Sequence, residues 1–356
     1  MISQTNSLYN LVMEVSINTS PIDSGHSTRG IGSYTRNLIK EFKRNKNNIR
    51  FKFFDNPKNP PKADVVHYPY FDLFFHTLPI KKSAKRVITI HDVIPLVFPN
   101  EFKSGSRGQL SYFLQKIALS KSDAVICDSQ ASKKDIIEKL NFPASKIFVV
   151  YLAPSEEFKC ISDTKFLKKV SQKYGLPENF VLYVGDVNWN KNILNLLRAI
   201  SISKVNLALV GKSFMDDSLP QVKEADQLID SLNIKNKVKK LGFLNSKDLV
   251  AIYNLASVTV LPSFYEGFGL PVLESMACGT PVVCSNNSSL SEIGGNLAVY
   301  CDPTKPEDIA DKIKIQIKGG KNKLIQKKLT NYAQKFSWQE TASNTIKVYR
   351  NVLKED

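Results

Sequence analysis

Short, continuous apolar runs recur along the chain and alternate with helix-length segments of mixed character. The runs Val87–Ile90, Ala124–Cys127, Phe148–Tyr151, Phe180–Val184, Leu207–Val210, Val258–Val260 and Val282–Cys284 are rich in β-branched and aromatic residues. Strands that are apolar at every position are buried on both faces, as in a parallel sheet covered by helices on each side. Segments such as Gly108–Ser120 and Asn192–Ser203 have the length of the covering helices. The pattern predicts a doubly wound α/β architecture. It also restarts. A first set of strands ends near Tyr151, a polar stretch runs from Ser155 to Gly175, and Phe180 opens a second set. Two Rossmann-like domains, residues 1–160 and 161–337, are the economical reading of a chain of 356 residues. Ligands of such sheets sit outside the carboxyl ends of the strands, so the chemistry is sought in the loops there.

Composition changes this picture only in part. No apolar stretch is long enough to cross a bilayer, and Met1–Leu8 lacks the basic-then-apolar pattern of a secretory signal, so the expected compartment is the cytoplasm. Five scattered cysteines without a C-x-x-C pair read as reduced thiols, and four histidines (His26, His67, His76, His91) are too few and too dispersed for a histidine metal centre. The net charge of +16 invites nucleic acid, an anionic membrane or an anionic small substrate. Only eight of the 49 basic residues are arginine, the side chain that best grips phosphates and bases, and no nucleic-acid module is present. A nucleic-acid partner is therefore not expected.

The segment Glu266-Gly-Phe-Gly-Leu-Pro-Val-Leu-Glu274 concentrates the chemistry. Val258–Leu261 ends as a strand, Ser263–Gly269 is a loop with two glycines, and a helix is predicted with Pro271 and Glu274 in its first turn and Gly279 just past its end. A helix N-terminus at the carboxyl edge of a sheet offers free N–H groups and a positive dipole to an anion. Glu266 can accept hydrogen bonds from sugar hydroxyls, Glu274 from a ribose diol, and Gly267 and Gly269 let backbone approach a ligand closely. The plainer alternative is a glycine turn with two solvated glutamates.

This stretch, continuing into Ser275-Met-Ala-Cys-Gly-Thr-Pro-Val-Val283, resembles the E-x7-E signature of retaining glycosyltransferase family 4, whose fold is GT-B. The resemblance implies that Glu266 binds donor-sugar hydroxyls, with Gly267, Phe268, Gly269 and Leu270 beside it, and that Glu274 holds the nucleotide ribose. It implies a diphosphate-gripping cation at Lys191, in Gly185-Asp-Val-Asn-Trp-Asn-Lys191, while the family's other basic position in that loop is occupied by Asp186 or Asn190. Ile90-His-Asp92 resembles the family's H-D motif, which assigns His91 and Asp92 to the donor site without implying a base. By the same resemblance Gly30 and Gly32 belong to a glycine loop near the phosphates, and the turn at Phe243-Leu244 contacts the nucleobase. Asp128-Ser129 reads as a helix N-cap before Lys133 or as cleft lining. Residues 338–356 resemble the family's terminal helix, which packs back on the first domain.

The implied activity is metal-independent transfer of a hexose, with retention, from a nucleotide sugar to a glycan or lipid-linked glycan. No D-x-D occurs in the chain, which argues against the metal-dependent GT-A class, and no cofactor is expected beyond the sugar nucleotide itself. The His91-Asp92 and Asn188–Lys191 segments look most like bacterial mannosyltransferases of surface polysaccharide assembly, so GDP-mannose is the favoured donor, with UDP-hexoses next. The basic and aromatic stretches Lys40–Phe54 and Phe71–Arg86 could rest on an anionic membrane, which would make the protein peripheral on the inner face of the plasma membrane. A catalytically silent sugar-nucleotide-binding scaffold and a sugar-nucleotide epimerase are the other readings.

Overall fold

A computed structural model describes residues 12–23, 30–44 and 48–354. It contains two six-stranded sheets in which every pairing is parallel. The first holds β1 (Met13–Asn18), β2 (Ile49–Phe54), β3 (Val65–Tyr68), β4 (Lys85–Thr89), β5 (Ala124–Cys127) and β6 (Ile147–Val149), in the order β2-β1-β3-β4-β5-β6. The second holds β7 (Phe180–Val184), β8 (Asn206–Val210), β9 (Val238–Gly242), β10 (Val258–Leu261), β11 (Val282–Ser285) and β12 (Val299–Cys301), in the order β12-β11-β10-β7-β8-β9. Each apolar run of the sequence lies on one of these strands, with ends displaced by a residue or two.

Alternation within the strands builds a core on both faces. β7 sends Val181 and Tyr183 to one face with Val258, Val260 and Val283, and Phe180 and Leu182 to the other with Val210 and Tyr253. The helix Trp338–Lys354 buries Trp338, Ala342, Ile346, Tyr349 and Val352 at helical spacing against Tyr34, Leu38 and Phe42 of the helix Gly30–Arg44 and against the first sheet. Its Tyr349 hydroxyl lies 2.7 Å from His67 Nδ1 on β3.

Part of the polar stretch read as a connector is a helix, Thr164–Tyr174, and not an irregular linker. Lysines are as numerous there as apolar residues. Phe166, Leu167, Val170 and Tyr174 nevertheless recur at intervals of one, three and four, and pack on the second sheet's helix Ser246–Leu255 beside Val250 and Tyr253. The stripe decides the structure, because helices in folded domains are held mainly by one packed face.

Strand order locates the crevices. In the second sheet the chain moves outward from β7 through β8 to β9, then returns to β10 on the other side of β7. The topological switch therefore lies between β7 and β10, and the loops beyond their carboxyl ends line the place where doubly wound sheets bind ligands.

Candidate functional site

The loops after β7 and β10 are tied to each other. Phe264 N donates to Asn190 O (2.7 Å) and Asn190 Nδ2 to Tyr265 O (2.9 Å). Asn192 ends the turn Trp189–Lys191 with φ 58°, a left-handed conformation that asparagine tolerates better than most residues. Its buried amide donates to Pro262 O and Pro303 O at 2.8 and 2.7 Å. This brace aims Lys191 at Glu266: Nζ donates to both carboxylate oxygens, at 2.8 and 2.7 Å, and Ser263 Oγ adds a third bond at 2.7 Å. Burial works against the charge on Lys191, but Glu266 outweighs it, and the lysine pKa is raised.

Gly267 sits where the two halves of the molecule meet. A Cβ there would stand 2.8 Å from His91 O and 2.9 Å from Asp92 Cβ, so no other residue fits without displacing that backbone. Its carbonyl accepts from Ser129 Oγ (2.7 Å) and Ser132 Oγ (3.1 Å), at the start of the helix Gln130–Leu140. Ser129 also caps that helix, accepting from Ser132 N. Glu292 accepts from Gln130 N and from Tyr151 OH, and Tyr265 OH donates to Asp135.

Gly269 adopts φ 92°, with Leu290 packed where a Cβ would go, and opens the helix Leu270–Ala277 without a side-chain cap. The uncapped N-terminus is free for an anion. Phe268 is buried and Leu270 half-buried. Glu274 departs from expectation in its position: it lies in the helix's second turn and not its first, because the helix starts at Leu270. Its half-buried side chain accepts from the buried Tyr253 OH at 2.8 Å. Burial raises its pKa to about 7.

His91 lies just past β4, beside the first sheet's face of this junction. Its Nδ1 is 2.6 Å from Asp128 Oδ2 and its Nε2 3.2 Å from Pro69 O, and Tyr34 meets the ring edge-on with centroids 4.8 Å apart. The ring therefore already has hydrogen-bond partners on both nitrogens. Asp92 Oδ1 accepts from Ile94 N (3.0 Å), and burial raises the Asp92 pKa. Gly30 and Gly32 form the first turn of the helix Gly30–Arg44 and not a loop; residues 24–29 lie outside the described residues. Phe243 is exposed at the carboxyl end of β9, while Leu244 is buried in the second sheet's core, so only Phe243 is open to a ligand. β9 is separated from β7 by β8, which sets this turn apart from Lys191 and Glu266.

Two features escaped sequence reasoning. The contact of Asp128 with His91 joins residues 37 apart, just past the ends of neighbouring strands β4 and β5, and only strand order reveals it. An aromatic cluster, Phe98–Trp189 at 5.2 Å, Trp189–Phe264 at 4.9 Å and Phe98–Tyr265 at 5.5 Å, joins the first half to the two loops that carry Lys191 and Glu266. Among the described residues no three His, Cys, Asp or Glu side chains stand close enough to share a metal ion.

Residues 165–336 match the family model of glycosyl transferases group 1, and residues 48–153 match that of glycosyltransferase family 4. O-antigen chain mannosyltransferase B of Escherichia coli is 31% identical over 298 residues, 81% of this chain and 74% of that protein. The serotype-specific mannosyltransferase WbdA of Escherichia coli is 29% identical over 76% of this chain, and the match spans 34% of WbdA's length. Sucrose-phosphate synthase from Thermosynechococcus elongatus superposes with a TM-score of 0.73 at 18% identity, covering 97% of this chain and 100% of that one. The paired parallel sheets are the GT-B fold.

Proposed function

Because the chain belongs to the glycosyltransferases of group 1 and family 4, we propose that it moves a hexose, mannose in preference, from GDP-mannose to a glycan or lipid-linked glycan with retention of configuration. The observation that carries this reading is the Lys191–Glu266 pair at the switch point between β7 and β10, next to an uncapped helix N-terminus. In the proposed step the bond from the sugar C1 to the diphosphate oxygen breaks, and its electron pair leaves with the phosphate. Lys191 and the N–H groups ahead of Leu270 stabilise that charge. The acceptor hydroxyl bonds to C1 on the same face, and its proton passes to the departing phosphate oxygen. Glu266 holds the sugar hydroxyls once Lys191 turns toward the diphosphate, and Glu274 holds the ribose. A lysine in this role, together with the lack of a D-x-D sequence, favours transfer without a bound divalent cation. The preference for mannose rests on the names of the Escherichia coli relatives, and UDP-hexoses are the next donors to test.

Nucleotide release from a panel of sugar nucleotides, compared between the native chain and Glu266→Ala, tests this reading. Release that requires Glu266 and favours GDP-mannose supports it; tight donor binding without release by the native chain would replace it with the scaffold reading.

Peripheral attachment to an anionic membrane is a second proposal, on a surface that keeps Phe75 of the stretches the sequence points to and adds the helix Ser106–Ser120. Phe42, Phe54 and Phe71 are buried, and Phe51 stacks on Phe42 at 4.4 Å, so most of those aromatics belong to the core. Phe75, Leu110 and Phe113 are instead 72, 62 and 61% exposed. The last two lie one turn apart on the helix Ser106–Ser120, whose Tyr112 packs against Phe74, and Lys103 and Arg107 are exposed beside them, with Glu101 the nearby acid. Exposed apolar side chains with Lys103 and Arg107 near them in the chain suit an anionic bilayer surface.

A further inference from the structure

We propose that Asp128 is a positioning residue for the transfer reaction, acting through His91: its carboxylate fixes the imidazole so that Nε2 carries a proton and serves as a hydrogen-bond donor, not as a base. This rests on the reading above that His91 belongs to the donor-sugar site.

The argument begins with what each ring nitrogen faces. Nε2 faces the Pro69 carbonyl, which can only accept, so that nitrogen holds a proton. Nδ1 stands 2.6 Å from Asp128 Oδ2, a separation that requires a proton between them, since two lone pairs at that distance repel. The pair therefore holds two protons, one shared with Asp128 and one on Nε2. Asp128 has few other ways to settle its charge. It is 2% exposed, and its second oxygen, Oδ1, is buried with no hydrogen-bond partner. His91 is thus the partner that answers this carboxylate, and the carboxylate in turn favours the doubly protonated ring and fixes its orientation. Burial opposes a charge on His91, but Asp128, and more weakly Asp92, outweigh it and raise the pKa.

The surroundings are arranged to hold the ring still. Tyr34 packs edge-on against it, and the Tyr34 hydroxyl meets Thr89 Oγ1 at 3.0 Å. Thr89 also meets His67 Nε2 at 2.9 Å, and His67 Nδ1 meets Tyr349 OH. Burial, and to a smaller extent the charge on His91, pushes the His67 pKa down to about 3, so His67 stays neutral. The charged groups that face His91 are therefore Asp128 from β5 and Asp92 from its own strand end; across the junction, the Lys191–Glu266 pair acts on Asp92. Gly267 stands over the His91 carbonyl and leaves no room for another side chain there.

The test is the pH dependence of kcat for GDP release from GDP-mannose, in Asp128→Asn, His91→Gln and the double variant, with the two-dimensional NMR titration of His91 alongside. Asp128→Asn is expected to lower kcat about 10- to 100-fold with little change in donor KM, and to move both the alkaline limb of kcat and the His91 titration to lower pH. In the His91→Gln background the same substitution is expected to change kcat by less than about twofold, because the residue acts through the ring. A structural role alone would lower thermal stability and leave the alkaline limb in place, and that result would overturn the proposal. So would full additivity of the two substitutions. Should the native chain release no nucleotide at all, the transferase reading fails, while the NMR titration still reports whether Asp128 governs His91.

Discussion

Lys191 Nζ lies 2.7 Å from Glu266 Oε2, and the two side chains are 23 and 9% exposed, so each neutralises the other while no donor is bound. Neither can be removed without leaving a sheltered charge. Glu266→Ala is expected to lower stability by about 3 kcal/mol, and adding Lys191→Ala to restore part of the loss. Donor turnover should behave differently, falling about 100-fold or more in each single variant and not recovering in the double. Thermal unfolding and nucleotide release, run on the same preparations, separate the two effects.

Glu274 makes stability depend on pH. Its carboxyl has a pKa raised from 4.5 to about 7, so the folded chain binds a proton that the unfolded chain gives up more readily. The associated stability is complete below about pH 4.5 and is lost as pH rises through 7, an effect of about 3 kcal/mol. Glu274→Gln keeps an acceptor for Tyr253 OH and removes the titration. Its melting temperature should exceed that of the native chain at pH 8 and match it at pH 4.5. An equal difference at both pH values would contradict this account.

Tyr349 and His67 predict how firmly the closing helix is held. Tyr349→Phe leaves His67 Nδ1 buried without its partner at 2.7 Å, which should cost about 1–3 kcal/mol. Urea unfolding followed by tryptophan fluorescence reads this, because Trp338 begins the same helix. Unchanged stability would mean that the pair contributes nothing net.

Leu110 and Phe113 predict membrane behaviour. Replacing both with serine should weaken sedimentation with vesicles of anionic phospholipid at least fivefold at low salt, while nucleotide release from GDP-mannose in solution stays the same. Equal sedimentation of the two proteins, or none by either, would remove the membrane proposal.

Much of the fold was legible because the strands of a doubly covered parallel sheet are apolar at every position, as Val258–Val260 and Val282–Cys284 are. β1, β2 and β3 were harder to read, since Glu14, Ser16, Arg50, Lys52 and His67 interrupt the apolar run. Glu14 takes Lys52 and Arg50 as partners across neighbouring strands, a compensation invisible until the strands are paired. Lys191 and Glu266 were each legible as loop residues at strand ends. Their contact was not, because 75 residues separate them. That Phe42 and Phe54 turn to the core while Phe53 is exposed was not legible for a related reason: composition does not say which face of an element turns inward.

The sequence by itself determined where the wholly apolar strands lie, where the glycine loop feeds a helix, and which residue types wait at their ends, because those depend on local periodicity and backbone freedom. Only the tertiary structure decided who meets whom. Placing β10 beside β7 brought Glu266 to Lys191, placing β5 beside β4 brought Asp128 to His91, and packing the Glu274 carboxyl against Tyr253 raised its pKa to about 7. Hydrogen bonds, ion pairs and desolvation act over a few ångströms in space, and distance along the chain carries no record of them.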